Sequence, residues 1–261
     1  MTEAERFVAA YDRQLRTDAE TRDAVAVRHL GPLWLATFAG GQGFVTYPPP
    51  DADVAGRLAE LVEGALEHYR QDPEITEVEW KTRGHDNTPG LHESLLRRGF
   101  RAETRESIMI GRAELLAVDV PLPGGVSLRR VSSEADVRAM VAMQDAVFGH
   151  DTSSRVGALL AGLRSGDGME LWVAEANGEI VSAGRLEPVP DTDFAGIWGG
   201  ATLEAWRGRG IYRALTAARA RSALAAGKTL IHSDSTDYSR PILERSGLLA
   251  VSTTTPYLWR R

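Results

Sequence analysis

The sequence predicts an α/β protein of two units, each a mixed, twisted β-sheet flanked by helices. Three observations carry this reading. Short strand-like runs alternate with amphipathic helical stripes along the whole chain. Pro121-Leu122-Pro123-Gly124-Gly125 interrupts the middle, because proline fixes extended backbone and paired glycines hold neither helix nor strand. The order of elements is similar on both sides of that run. Setting Gly99 on Gly247 also pairs Leu95 with Leu243, Arg97 with Arg245 and Ala102 with Ala250. Domains over residues 1–118 and 119–261, related by tandem duplication, are therefore expected.

In the first half, Phe7, Val8, Tyr11 and Leu15 share one face of a helix. Residues 33–38 and 44–47 read as strands joined through Gly40-Gly41-Gln42-Gly43, and Pro48-Pro49-Pro50 stops the second. Asp51 or Asp53 then caps a helix whose buried stripe is Val54, Leu58, Leu61, Val62, Ala65 and Tyr69. A strand at 78–82, a short helix at 91–98 closed by Gly99, and a strand at 107–110 follow. The second half begins with a strand at 127–131 and helices at 134–147 and 156–163. Residues 169–176 and 180–187 form a hairpin across Asn177-Gly178, a strong two-residue turn signal. A strand at 194–202, a helix at 211–226 ended by Gly227, a strand at 229–233, a helix at 240–245 and a strand at 251–258 complete it.

At 261 residues, 43% hydrophobic and 25% charged, the chain is long enough for two soluble domains with cores of their own. A net charge of −6 argues against a general nucleic-acid binder or a protein drawn to acidic membranes. Cysteine is absent, which excludes disulfides, thiolate catalysis and cysteine-containing zinc sites. The acidic start lacks a signal-peptide pattern, and no run approaches the roughly 18 apolar residues of a membrane span. A cytoplasmic protein, with no membrane or nucleic-acid partner, is expected. The near-exclusive use of arginine over lysine reads as genome composition.

The segment richest in chemistry runs from Gly196-Ile197-Trp198-Gly199-Gly200 through Arg207-Gly208-Arg209-Gly210-Ile211-Tyr212. It reads as a strand, a tight glycine turn and the first turn of a helix. A helix N-terminus has backbone N–H groups without intrahelical partners and carries positive dipole charge. Gly208 and Gly210 remove the Cβ atoms that would hold an anion away, and Arg207 and Arg209 add charge. The combination suits a pyrophosphate. A Walker loop would need Gly-Lys-Ser/Thr, which is absent. A dinucleotide fingerprint would need glycine where Arg213 stands and an acid where His232-Ser233 ends the next strand.

This pattern resembles the Arg/Gln-x-x-Gly-x-Gly/Ala signature of GNAT-type N-acetyltransferases, matched by Arg207 and Gly210 but departing at Tyr212. The similarity extends over the element order from residue 126 onward, including Leu243-Glu244-Arg245-Ser246-Gly247-Leu248. It implies two GNAT-like units, the second binding acetyl-CoA as co-substrate with no metal. It implies that Ala201, Thr202 and Leu203 pair with pantetheine amides, and that Arg207, Gly208, Arg209, Gly210, Ile211 and Tyr212 hold the pyrophosphate, with Thr236 near the thiol. The implied reaction is direct transfer of acetyl to an amine of a small molecule or peptide, with a backbone N–H stabilising the oxyanion. Many family members place a proton-donating Tyr where this chain has Leu243. Tyr238 and Ser239 are substitutes, and Glu204 is the candidate base. The first half has no Arg-Gly run at the matching turn, 46–51, and is expected to have lost CoA binding.

Two alternatives remain open from the residues: a non-catalytic acetyl-CoA-binding module, and an interaction protein whose Arg-Gly-Arg-Gly segment binds a partner's phosphate. His85-Asp86 and His150-Asp151 lack a second histidine at ligand spacing and read as ordinary loop residues.

Overall fold

Helices of both halves begin at residues whose side chains accept a backbone N–H of the first turn. The computed structural model describes residues 1–149, 152–153 and 155–261, so His150 and Asp151 lie outside the described residues. Thr2 and Glu5 form a reciprocal capping box at the start of α1 (Glu3–Gln14), which buries Phe7 and Tyr11. Asp51 caps the 19-residue helix that follows the triple proline, and Ser133 caps another in the second half.

The chain forms two compact units. The first comprises Met1–Ile108, Asp234–Arg240 and Ala250–Arg261, and the second Met109–Ser233 and Pro241–Leu249. This is not a single cut near residue 118. The Pro-Gly run marks where the chain cannot be regular, whereas unit membership is decided by strand pairing. The terminal strand, β12 (Leu249–Arg260), pairs antiparallel with β4 (Glu77–Arg83) from Thr254 opposite Arg83 to Arg260 opposite Glu77.

In the first unit, β1 (Ala26–Leu30), β2 (Leu33–Phe38) and β3 (Gln42–Thr46) form an antiparallel meander. α2 (Ala52–Arg70) then crosses over, and β4 returns parallel to β3. α3 (Leu91–Arg97) and the two-residue β5 (Arg101–Ala102) follow, with β5 against β12. The core gathers Leu33, Leu35, Leu58, Leu66, Tyr69 and Trp80. Gly43 lets the Tyr69 ring lie flat on β3, where its phenol donates to the Ala36 carbonyl and accepts the Phe44 N–H. The sequence pattern missed β1, whose Ala-Val-Arg-His-Leu run is exposed almost throughout and so carries no alternation.

The second unit repeats this logic. β6 (Glu106–Arg112) leads into α4 (Ala113–Leu116), a single turn the sequence pattern also missed. Next come β7 (Val126–Val131), α5 (Glu134–Phe148) and α6 (Arg155–Ser165). β8 (Glu170–Ala176) and β9 (Glu179–Pro188) form the expected hairpin, with Asn177 and Gly178 both at positive φ. β10 (Phe194–Thr202) lies antiparallel to β9, α7 (Ile211–Ala225) crosses over, and β11 (Leu230–Ser235) returns parallel to β10. α8 (Arg240–Arg245) precedes β12. An antiparallel meander, a crossover helix and a parallel strand thus occur in both units. No helix among the described residues is long and apolar enough to cross a membrane.

The first unit also buries a network of charges. Arg16 grips Asp86 with two hydrogen bonds of 2.8 Å and reaches Asp12 at 3.0 Å. His85 accepts or donates to Ser252 at 2.6 Å, so His85 and Asp86 are members of this network rather than idle loop residues. Beside it, Arg83 pairs with Glu20, and Lys81 pairs with Asp234 at 2.9 Å. Burial alone would raise the Glu20 carboxyl, but the charges of Arg83 and Lys81 outweigh it and hold the group below its ordinary range. A folded value below the unfolded one means that this stabilisation is complete above the usual carboxylate range and is lost as pH falls through the folded value. Arg83→Met leaves Glu20 buried without its main partner and should cost about 3–5 kcal/mol in urea unfolding at neutral pH. The loss should shrink in acid as Glu20 becomes protonated. An Arg83→Met penalty below about 1 kcal/mol would show that the network contributes little.

Candidate active site

β10 and β11 pair at only three positions, Phe194 with Leu230, Ala195 with Ile231 and Gly196 with His232. β10 nevertheless runs on to Thr202 and β11 to Ser235, so the parallel ladder opens beyond Gly196. At the mouth of the opening the Ser233 hydroxyl donates to the Ile197 carbonyl at 2.9 Å. On its other edge β10 stays with β9 but bulges. Trp198 faces Arg185 and Ala201 faces Ala183, so Gly199 and Gly200 together oppose Gly184 alone.

Three glycines make this geometry feasible. Trp198 folds back over Gly196, where a Cβ would sit 2.3 Å from its Nε1. Gly199 has φ of +60°, and its carbonyl accepts from the Gln144 side chain at 2.6 Å. Tyr212 covers Gly200, whose Cβ would meet the ring at 2.6 Å and the phenol oxygen at 2.8 Å. On the edge of the opening, His232 turns its ring to Trp198 and Phe194 in T-shaped contacts.

The turn beyond β10 delivers the chain to α7. Gly208 and Gly210 both adopt left-handed φ, and Gly210 is the N-cap of α7 with no side-chain cap. The matching helix of the first unit, α2, carries the Asp51 carboxylate on the Val54 N–H instead. One helix start is therefore closed by an anion of the chain itself, and the other presents glycine. Arg209 stacks on Trp206 with its guanidinium carbon 4.9 Å from the ring centre, leaving its charge at the surface near the turn. A cavity of about 240 Å³ next to α7 is lined by Leu115, Leu116 and Val118 on one side and by Arg213, Thr216 and Arg245 on the other.

Residues 139–247, which span this strand–turn–helix and α8, match the acetyltransferase (GNAT) family. That segment is similar to members of the GNAT family. No curated protein matches the chain. Among solved structures, a GCN5-related N-acetyltransferase from Kribbella flavida is similar with a TM-score of 0.70 at 19% identity, over 98% of this chain and 95% of that one. A functionally unknown conserved protein from Staphylococcus epidermidis gives 0.68 at 16% identity, over 94% and 98%. A tandem GNAT protein from the clavulanic acid biosynthesis pathway gives 0.62 at 15%, over 99% and 96%. At such identities these structures bear on the fold: a GNAT-like architecture running the length of the chain.

Residues 201–212 run from the end of β10 through the turn to the start of α7. Some of their backbone groups are already engaged. Leu203 N–H donates to the Val181 carbonyl, the Ala201 carbonyl accepts from Ser182 at 2.7 Å, and the Thr202 carbonyl accepts from Arg207 Nε at 3.0 Å. Arg207 thus braces the turn, and the bulge at Gly199 and Gly200 is the less committed stretch of strand. Glu204 is exposed in a short 3₁₀ turn. Thr236, Tyr238 and Ser239 cluster with the first unit, where Ser239 caps back onto the Thr236 carbonyl and Tyr238 is 91% exposed. Leu243 is buried in the apolar core beside Ile231 and Leu248. Gln144 and Arg219 were not singled out by sequence: Gln144 reaches the distant Gly199 carbonyl, and Arg219 reaches the distant Arg185 carbonyl as well as Leu215 and Thr216 one turn back. Gly200→Ala would drive a methyl into Tyr212 and should cost about 1–3 kcal/mol in thermal unfolding. Gly56→Ala, where a Cβ meets nothing within 4 Å, should be neutral or stabilising.

Proposed function

We propose that the chain is an acetyltransferase that moves an acetyl group from acetyl-CoA directly to an amine of a small molecule or peptide. The observation that carries this is the opening of β10 from β11 directly before a glycine-started helix without a side-chain cap. An anion at the α7 N-terminus meets aligned N–H groups and the positive end of the helix dipole. Gly208 and Gly210 let it approach the backbone, and Arg209 supplies charge. A linear thioester arm laid from there along the bulged part of β10 would put its carbonyl against strand N–H groups able to stabilise an oxyanion. Arg213 and Arg245 beside the cavity suit the nucleotide's charge.

In the proposed reaction the neutral amine attacks the thioester carbonyl, the C–N bond forms, the C–S bond breaks, and the amine's surplus proton leaves. Glu204, exposed beside the turn, is the proposed acceptor of that proton. The cytoplasm, where acetyl-CoA is abundant, is the proposed setting, and the net charge of −6 goes with small or peptide acceptors rather than nucleic acid. Leu243, buried where many relatives place a proton donor, favours one second reading: a module that binds acetyl-CoA without turning it over.

Thermal unfolding against acetyl-CoA tests the proposal. Ligand at about 100 times its dissociation constant should add roughly 2.7 kcal/mol to the folded state. Gly210→Asp, which sets a carboxylate at the helix start as Asp51 does in α2, should abolish the shift. No shift at millimolar acetyl-CoA in the wild type would end the donor assignment. A shift without thiol release across a broad amine panel would select the binding module.

A further inference from the structure

His85 is hydrogen-bonded at both ring nitrogens, and its two partners differ in kind. Nδ1 meets the Ser252 hydroxyl at 2.6 Å, and Nε2 meets Asp12 Oδ1 at 3.0 Å. All three residues belong to the first unit. Strand register brings two of them together. Thr254 stands opposite Arg83 at the end of the β4–β12 ladder, and the Gly84 N–H donates to the Thr253 carbonyl at 2.8 Å. The antiparallel count then sets Ser252 opposite His85. Gly84 permits this approach, since a Cβ there would collide with Thr253 Oγ1. The third residue comes from α1, anchored by its capping box and by the buried Phe7 and Tyr11.

The role of each group follows from what it can donate. An ionised carboxylate only accepts, so Nε2 carries the hydrogen and Nδ1 keeps a lone pair for the Ser252 hydroxyl. Burial alone would raise the Asp12 carboxyl, but the His85 hydrogen bond and the Arg16 charge outweigh it and hold the group below its ordinary range. Arg16, itself gripped by Asp86, reaches Asp12 at 3.0 Å and passes 3.3 Å from His85 Nε2. The Tyr11 ring meets the imidazole edge-on at 6.5 Å. The His85 side chain is 21% exposed and Ser252 is half-buried, so a small solute can reach both.

We infer that Ser252, His85 and Asp12 form a separate reactive centre, in which Ser252 takes the acyl group of a small activated carboxylic ester. The inference is independent of the acetyl-CoA reading. Ser252 Oγ attacks the ester carbonyl while His85 Nδ1 takes the hydroxyl proton. The Oγ–C bond forms, the bond to the leaving oxygen breaks, and the proton on His85 passes to the departing alkoxide. Water then attacks the acyl-serine, His85 takes a proton from the water, and that proton returns to Ser252 Oγ as the acid leaves. Ester and water become acid and alcohol, with no further reactant. Ser252 and His85 are the catalytic residues, and Asp12 is the positioning residue that holds the imidazole tautomer.

The test exposes the full chain to para-nitrophenyl acetate and, separately, to a fluorophosphonate, and locates the modified residue by peptide mass. Both should mark Ser252, and Ser252→Ala should remove the mark. His85→Gln should slow the marking by about a hundredfold, the usual contribution of a general base. In Asp12→Asn the midpoint of marking rate against pH should fall by about one unit, because the carboxylate that favours charged His85 is gone. A merely structural contact would not move that midpoint. Ser252→Cys gives a second measurement, since the natural chain has no cysteine. Beside His85 the introduced thiol should ionise about one pH unit or more below ordinary cysteine, followed by its alkylation rate. Marking of other residues only, an undiminished rate in His85→Gln, or a thiol that titrates like free cysteine overturns the inference.

Discussion

The short parallel ladder between β10 and β11 is the constraint on which the second unit's chemistry depends. Had those strands paired along their full length, the backbone of residues 197–202 would be consumed by sheet hydrogen bonds and closed to any ligand. Three paired positions suffice to fix the relative direction of the strands. The remainder is held open by devices of modest size: a hydroxyl from Ser233, an amide from Gln144, and a bulge of two glycines against one. Each device satisfies or displaces backbone polarity that a ladder would otherwise claim. Sheet rigidity is kept on the β9 side, so the open edge is a fixed feature of the strand.

The two crossover helices show how one topology yields opposite electrostatics. α2 and α7 each follow a meander and precede a parallel strand. At α2, Pro48-Pro49-Pro50 forces an extended approach and Asp51 neutralises the helix start. At α7, Gly208 and Gly210 turn the chain through left-handed conformations and place no anion there. A carboxylate on the N–H groups excludes a second anion by occupancy and by repulsion. The difference between a helix start that carries its own carboxylate and one that presents glycine thus resides in a handful of residues before the first turn.

Buried charge is distributed unequally as well. The first unit encloses Arg16, Lys81 and Arg83 with Asp86, Glu20 and Asp234 as partners, so each cation is matched. Such pairs recover much of their desolvation cost and fix the arrangement of the elements that carry them. Arg219 of the second unit is the contrast, hydrogen-bonded yet matched only by neutral groups. Its location between α7 and Gly184 sets it against backbone carbonyls and a hydroxyl rather than an acid.

Local chemistry by itself determined most of the elements. The limits of β2, β10 and α8 follow from their own residues, as do the Asp51 cap and the Asn177-Gly178 turn, because apolar period, caps and turn residues act over a few positions. The glycine–arginine turn was legible for the same reason. β1 and α4 were not, since an exposed edge strand lacks alternation and a single helical turn lacks a stripe. Tertiary structure alone decided what required partners far apart in sequence. It joined β12 to β4, engaged Ala201–Leu203 through β9 and Arg207, and set Gln144 on Gly199. It also turned His85-Asp86 from a loop pair into part of an ionic network, laid Tyr212 on Gly200, and set Arg219 on Gly184. Those outcomes depend on which edges remain unpaired and which charges remain buried, and both are properties of the packed whole rather than of any segment.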